Sequence, residues 1–402
     1  MRRDETVATA GRRKWTTVAR GAIGPSLGPS LGGVLGVVLG AVLGAAAAVA
    51  GPIAADCPLG QPVVRDIVAE GFYTDAAHSV PDPAALARNR AALVPLDGVV
   101  GAITQRANRF YARARADEAG CALALIARQA TGGAMLGRMS SQQAGYERKW
   151  RAAGLAMVYL ALKDEADGGQ RAAIEPWLKR LADAVEVSDA RPANWNNHHY
   201  WIGFVATTVA VATGDPARLA RGRKIFDDGL AAIDADGALP REMGRKARAL
   251  HYHAFATAPL VMAAEVAARA GEDWYGRRDG ALHRLVARVA AGIADPSWFE
   301  ARAGVTVEPP GGGTLAWIAF YDRRFPGRIT PTPRPHRANG LGGDLDALAA
   351  RWLPDAAASG VAAPEATAPG GGAPGAAAPG GTAEDGARPG AVAPGMGALE
   401  AE

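Results

Sequence analysis

Cysteine is nearly absent: the 402-residue chain has two, Cys57 and Cys121. Two thiols cannot build a zinc site by themselves, and their spacing matches no metal motif. Aromatic residues make up only 6% of the chain, while alanine recurs throughout. That composition favours helices over sheets. No alternating apolar–polar run of any length occurs, which argues against strands. No sequence repeat of fixed period is present. Neither sign of charge dominates, with 44 Lys and Arg against 40 Asp and Glu. No basic stripe carries interleaved aromatics, so no nucleic-acid partner is expected. With the two ends set aside, the body keeps a mild basic excess, which suits an anionic polymer.

The ends read differently from the body. Residues 1–55 read as a secretory signal. Arg2, Arg3, Arg12, Arg13, Lys14 and Arg20 form a basic start, and an apolar run from Val34 to Val49 follows. Ala48-Val49-Ala50 and Ile53-Ala54-Ala55 are two small-residue cleavage sites. An uncleaved membrane anchor is the alternative, since the run is near spanning length. After cleavage no stable membrane insertion is expected. The expected location is the periplasm or the exterior. In such an oxidising compartment Cys57 and Cys121 are expected to form a disulfide, two unpaired thiols being the alternative. Residues 354–402 repeat alanine, glycine and proline without apolar periodicity, and are expected to be a disordered tail. The folded body is therefore placed at 56–353.

Within the body, helical periodicity covers roughly 84–93, 97–115, 119–131, 142–163, 170–186, 197–213, 216–234, 244–271 and 278–294. Breakers such as Thr131-Gly132-Gly133, Gly168-Gly169 and Thr213-Gly214-Asp215-Pro216 separate these runs. Antiparallel helix hairpins joined by short loops are the expected arrangement. The proline- and arginine-rich stretch 300–340 is expected to lie extended across the body. Its Arg323, Arg324 and Arg337 read as a solvated charge run.

Four of the seven histidines fall in two stretches, Asn196-Asn197-His198-His199-Tyr200-Trp201 and Arg248-Ala249-Leu250-His251-Tyr252-His253-Ala254-Phe255. Asp234-Ala235-Asp236-Gly237-Ala238-Leu239-Pro240-Arg241-Glu242 stands between them. Arg148-Lys149-Trp150 lies upstream, and Gly280-Ala281-Leu282, Arg284-Leu285 and Leu341-Gly342-Gly343-Asp344 lie downstream. In this order and spacing the chain resembles the alginate lyase family, which cleaves poly-β-D-mannuronate. The likeness covers about 110–350. It implies an all-α fold, an (α/α) toroid built as an incomplete barrel of antiparallel helix hairpins. It also implies a polysaccharide lyase acting on a 1,4-linked polyuronate, without metal or organic cofactor and as a monomer.

The chemistry explains the residue types. β-Elimination removes a C5 proton that lies alpha to a carboxylate. Donors that grip the carboxylate oxygens stabilise the anion that forms. The resemblance implies that Asn197 and Arg248 do this work. It implies that His198, as a neutral imidazole, takes the proton or polarises the site. Gln143, Lys149, Trp150, Trp201 and His253 are candidate substrate contacts. A phenol is expected to protonate the departing 4-oxygen. The family's tyrosine stands seven residues after its arginine; counted from Arg248, that position is Phe255. Tyr252, Tyr200, His199 and His251 are therefore the candidate replacement acids. The family's N-terminal lid lysine has no clear match near Phe72-Tyr73. His251 and His253 are two apart, so on a helix they point to different sides and make a poor metal pair. Two alternatives remain at this point: a non-catalytic polyuronate-binding protein, and a lyase for another uronan such as glucuronan.

Overall fold

Short polar side chains open several of the long helices, and left-handed glycines close some of them. The computed structural model describes residues 52–187, 195–330 and 332–354. The expected leader and tail thus lie outside the described residues, apart from 52–55 and Pro354. Helix α1 (Pro83–Arg113) starts at Asp82, whose carboxylate accepts from the Ala84 and Ala85 amides, with Pro83 in the first turn. Helix α2 (Ala116–Gly132) ends on the left-handed Gly133. Ser141 caps α3 (Gln142–Leu162). Asp167 and Gln170 form a capping box on α4 (Gly168–Glu186). Asn196 caps α5 (Asn197–Thr213), and Asp215 with Pro216 opens α6 (Pro216–Ala231). Then come α7 (Pro240–Met243), α8 (Ala249–Arg269), α9 (Arg277–Ala294), α10 (Ser297–Ala303), α11 (Ile318–Arg324) and α12 (Leu345–Trp352). Arg337–Ala338 pairs antiparallel with Gly343–Asp344 as a minimal two-stranded ribbon.

The hairpins arrange as an (α/α) toroid. Helices α1, α3, α5 and α8 pack side by side as an inner layer, and α2, α4, α6 and α9 back them from outside. Sequence decides which helix goes where. Helix α5 carries no Asp, Glu, Lys or Arg and is buried on nearly all sides, as is α8. Helix α9 has one apolar stripe and an arginine-rich outer face. Helix α11 lies against α8, and α12 lies against α11 and α1. The turn Asn339–Leu341 presses so closely on α3 that a Cβ at Gly154 would stand 1.9 Å from the Asn339 carbonyl oxygen.

Three expectations need correction. The runs 84–93 and 97–115 form one helix through Pro95. Proline removes a single helical bond there, and the freed Ala91 carbonyl faces water because both residues are exposed. The run 244–271 is broken: α7 ends at Gly244, Lys246 takes a left-handed backbone (φ 52°), and a 3₁₀ turn covers Lys246–Arg248. The stretch 300–340 is not extended, since it holds the end of α10, a 3₁₀ turn at Gly312–Leu315 and α11. Its arginines are paired. Arg324 grips the buried Glu265 carboxylate at 2.6 and 2.7 Å, Arg337 meets Asp344 at 3.2 Å, and Arg323 donates to the Leu353 carbonyl.

Cys57 and Cys121 are joined, closing a loop across a sequence separation of 64. The bond ties the irregular segment before α1 to the fully buried centre of α2. Losing it is expected to cost about 4 kcal/mol in the loop-entropy picture. Denaturant unfolding of wild type and Cys57→Ser, each at matched redox poise, measures this. Equal unfolding free energies would reject the link.

Candidate active site

A cleft of about 340 Å³ opens where α5 and α8 begin. Helix α3 supplies one wall with Gln143, Tyr146, Glu147 and Trp150. Their spacing of three, four and seven puts all four on one helix face. His198 enters from the first turn of α5, Tyr252 and Phe255 from the first two turns of α8, and Arg245 from the broken turn before α8. Gly71, Phe72, Tyr73 and His78 of the irregular N-terminal segment cross the opening.

His198 stacks on Tyr146 with ring centroids 3.6 Å apart. Lys149 Nζ lies 3.1 Å from its Nδ1. Burial, then the charges of Lys149 and Arg245, holds the imidazole pKa well below its ordinary value, so the ring is neutral at pH 7. The Tyr252 hydroxyl is 2.7 Å from that of Tyr73, and the Arg245 guanidinium lies 4.7 Å from the Tyr252 ring centroid. Burial, with Tyr73 beside it, pushes the Tyr252 phenol well above its usual range, against the opposing pull of Arg245 and Arg248. The phenol rests protonated, as an acid must.

Two buried carboxylates brace the walls from behind. Glu242 Oε1 accepts the Asn197 backbone amide at 2.8 Å and its Nδ2 at 3.0 Å, while Oε2 stands 3.5 Å from Arg245 Nε. Burial raises the Glu242 pKa, and Arg245 and Asn197 work against that rise. Glu147 accepts from Gln143 Nε2 at 2.7 Å and from Arg151 at 2.5 Å, and Arg151 also reaches Asp97.

The structure brings His198, Gln143, Trp150, Tyr252 and Phe255 onto the cleft wall, and the other predicted residues are not part of that wall. Arg248 is not on the cleft wall; its guanidinium faces Glu308 at 3.6 Å. Arg245 holds the wall position instead, because the left-handed Lys246 turns the chain between the two arginines. Seven residues after Arg245 stands Tyr252, so the phenol expected at Phe255 is in the cleft one turn earlier. Asn197 is fully buried behind His198, its Nδ2 committed to Glu242. Lys149 also lies behind His198, 1% exposed.

Trp201 is core, 0% exposed and 5.3 Å from the Phe255 ring. His253 splints the start of α8: Nε2 accepts the Leu239 amide at 2.9 Å and Nδ1 faces the Ala249 carbonyl at 2.7 Å. Burial lowers its pKa to about 4. His199 stacks on Trp195 and points at Asp228, 3.3 Å away. Tyr200 packs beside Gly229, and His251 is buried at the edge of Tyr252. Of the four replacement acids, then, only Tyr252 reaches the cleft. Among the described residues no group of three His, Cys, Asp or Glu can hold a metal ion.

Sequence reasoning missed Arg245, Tyr73, His78, Tyr146, Glu147 and Glu242. The Arg245–Tyr252 spacing and the 143/146/147/150 stripe were both readable signals. Tyr73 and His78 sit in irregular chain and carried none.

A family model described as alginate lyase matches residues 66–299. A polysaccharide lyase of Stenotrophomonas maltophilia strain K279a is 39% identical over 303 residues, covering 73% of this chain and 91% of that one. An alginate lyase of Azotobacter vinelandii is 31% identical over 259 residues, covering 62% and 69%. Among solved structures, alginate lyase A1-III from Sphingomonas species A1 superposes with a TM-score of 0.61 at 24% identity, covering 75% of this chain and 88% of that one. A variant of it complexed with a tetrasaccharide gives a TM-score of 0.64. That likeness is one of fold. With more than half of its length matched by the family model, this chain belongs to the alginate lyase family of polysaccharide lyases.

Proposed function

We propose that the cleft cleaves a 1,4-linked polyuronate, alginate first among them, by β-elimination to an unsaturated uronate end. One observation carries the reading: a neutral imidazole, a guanidinium and a protonated phenol, on His198, Arg245 and Tyr252, line the same cleft. Arg245 replaces Arg248 in this assignment. Arg245 and His198 meet the carboxylate at C5, and Arg245 stabilises the charge that grows on its oxygens as the C5 proton leaves. The C4–oxygen bond breaks as the C4–C5 double bond forms. Tyr252 gives its hydroxyl proton to the departing oxygen while its own oxygen takes the C5 proton, so the phenol is restored at the end of the step. Trp150 and Gln143 are placed to contact the flanking sugar. The names of the relatives support alginate as substrate. The separation of His198 and Tyr252 along the chain equals that of the histidine and tyrosine substituted in the A1-III variants, which supports their pairing here. The leader-like sequence of residues 1–55 and the Cys57–Cys121 link support a periplasmic or secreted enzyme.

Ultraviolet absorbance during incubation with mannuronan, glucuronan and a neutral glucan tests this, since only elimination creates the conjugated double bond. A rise on mannuronan is the expected result. A rise on glucuronan alone would move the enzyme to another uronan. Binding with no absorbance on any polymer would overturn catalysis in favour of a polyuronate-binding role.

A further inference from the structure

Lys149 is a long cationic side chain that the cleft does not expose. It is 1% exposed on α3, behind the stacked rings of Tyr146 and His198. Its Nζ stands 3.1 Å from His198 Nδ1, 3.3 Å from the His198 carbonyl oxygen and 4.6 Å from the Tyr146 ring centroid. A substrate carboxylate cannot reach Nζ without displacing those rings. The sequence reading of Lys149 as a substrate contact therefore does not fit its position.

The chemistry of the contact is one-sided. An ammonium has three donors and no lone pair, so at this distance His198 Nδ1 is the acceptor. A neutral imidazole that accepts at Nδ1 carries its proton on Nε2. The ring lines the cleft, and Nε2 makes no hydrogen bond within the described residues. We propose that Lys149 is a positioning residue that holds His198 as its Nε2–H tautomer, so that the ring presents a hydrogen-bond donor to the cleft. The role in the reaction rests on the lyase reading of the cleft; the tautomer does not.

The surroundings support the same outcome. Tyr146 and Trp150 from α3 stack on the ring and offer it no charge. Arg245 from the turn before α8, His78 from the N-terminal segment and Lys149 itself each oppose a charged imidazole. A ring that is neutral and already bonded at Nδ1 has no lone pair left at Nε2 to take a proton. The ring therefore presents a donor, and no acceptor, to the cleft.

Nitrogen NMR of the folded full chain, labelled with ¹⁵N in histidine, reads the tautomer directly. His198→Gln identifies its resonances. The wild type is expected to show an unprotonated Nδ1 and a protonated Nε2 at neutral pH. Lys149→Met, which keeps the volume and removes the donor, is expected to give mixed tautomers and a His198 titration midpoint at higher pH. It should also lower kcat by roughly 10–100-fold with little change in KM, the usual scale for losing a partner that orients an imidazole. Lys149→Arg keeps a donor and should retain the wild-type tautomer. A protonated Nδ1 in the wild type would overturn the proposal, and that measurement stands even if Lys149→Met fails to fold. An unchanged tautomer and titration in a folded Lys149→Met would overturn it as well. The expected tautomer in a protein that cleaves no uronan would leave the lock standing and remove the lyase reading.

Discussion

Tyr252→Phe is expected to lower kcat on the cleaved polymer by about 10²–10⁴-fold, the usual range for losing a proton donor to a leaving group. KM should change little, because the ring remains and keeps its packing against Phe255 and His251. The reason is positional. Tyr252 is the one candidate acid on the cleft wall, and its hydroxyl is hydrogen-bonded to Tyr73 and held beside Arg245. Phe255→Tyr, by contrast, should bring no gain, since the acid is already present one helical turn away. Absorbance kinetics on the same polymer compare the three proteins. Near-normal turnover by Tyr252→Phe, or a large gain from Phe255→Tyr, would show that the phenol has been assigned to the wrong position.

Arg245→Ala should lower kcat/KM by about 10²–10³-fold, roughly 3–4 kcal/mol of transition-state stabilisation, on the scale of losing an oxyanion donor. Arg245→Lys should recover only part of this, because an ammonium lacks the planar fork that meets both carboxylate oxygens. Arg248→Ala is the informative control. Its guanidinium faces the half-exposed Glu308 and lies 5.9 Å from the Tyr252 ring centroid, so its loss should cost less than about tenfold. Steady-state kinetics of the three variants decide the matter. If Arg248→Ala is crippled while Arg245→Ala works, the arginines must exchange roles.

Burial leaves a compositional mark on some helices and not on others, since the inner helices α1 and α3 carry several charged residues. A helix without a charged residue, such as α5, has to sit inside, and an arginine-edged one such as α9 has to sit outside. His198 and Tyr252 were readable for a similar reason: polar and aromatic groups at the start of the apolar helices α5 and α8 need a use. Helical periodicity could not give the register of the arginine; only the seven-residue spacing from Arg245 to Tyr252 carried it. Residues 244–248 carry helical periodicity, and an unbroken helix would give Arg245 and Arg248 similar claims to the cleft. The left-handed Lys246 breaks that equivalence, and no local residue type announces it, since lysine rarely takes that backbone. The surroundings of Asn197 were hidden for a different reason. Its Nδ2 donates to Glu242, whose burial no single-residue pattern foretells. Tyr73 and His78 act from irregular chain, where neither period of two nor period of 3.6 applies.

The turns over residues 337–352 have a consequence for how the chain reaches its native state. The Thr104 hydroxyl bonds the Asn339 side chain, and the Asp344 amide bonds the Asn108 side chain, across sequence separations of 235 and 236. Tyr111 reaches the Gly342 carbonyl across 231. The hairpins between them are local and can form one after another as the chain lengthens. Helix α1 cannot be covered until residues 337–352 arrive. Loop closure on that scale is slow compared with hairpin formation. A chain ending short of Gly342 would carry nearly all of the cleft residues and still present an uncovered apolar side of its first long helix, a state prone to association with other chains.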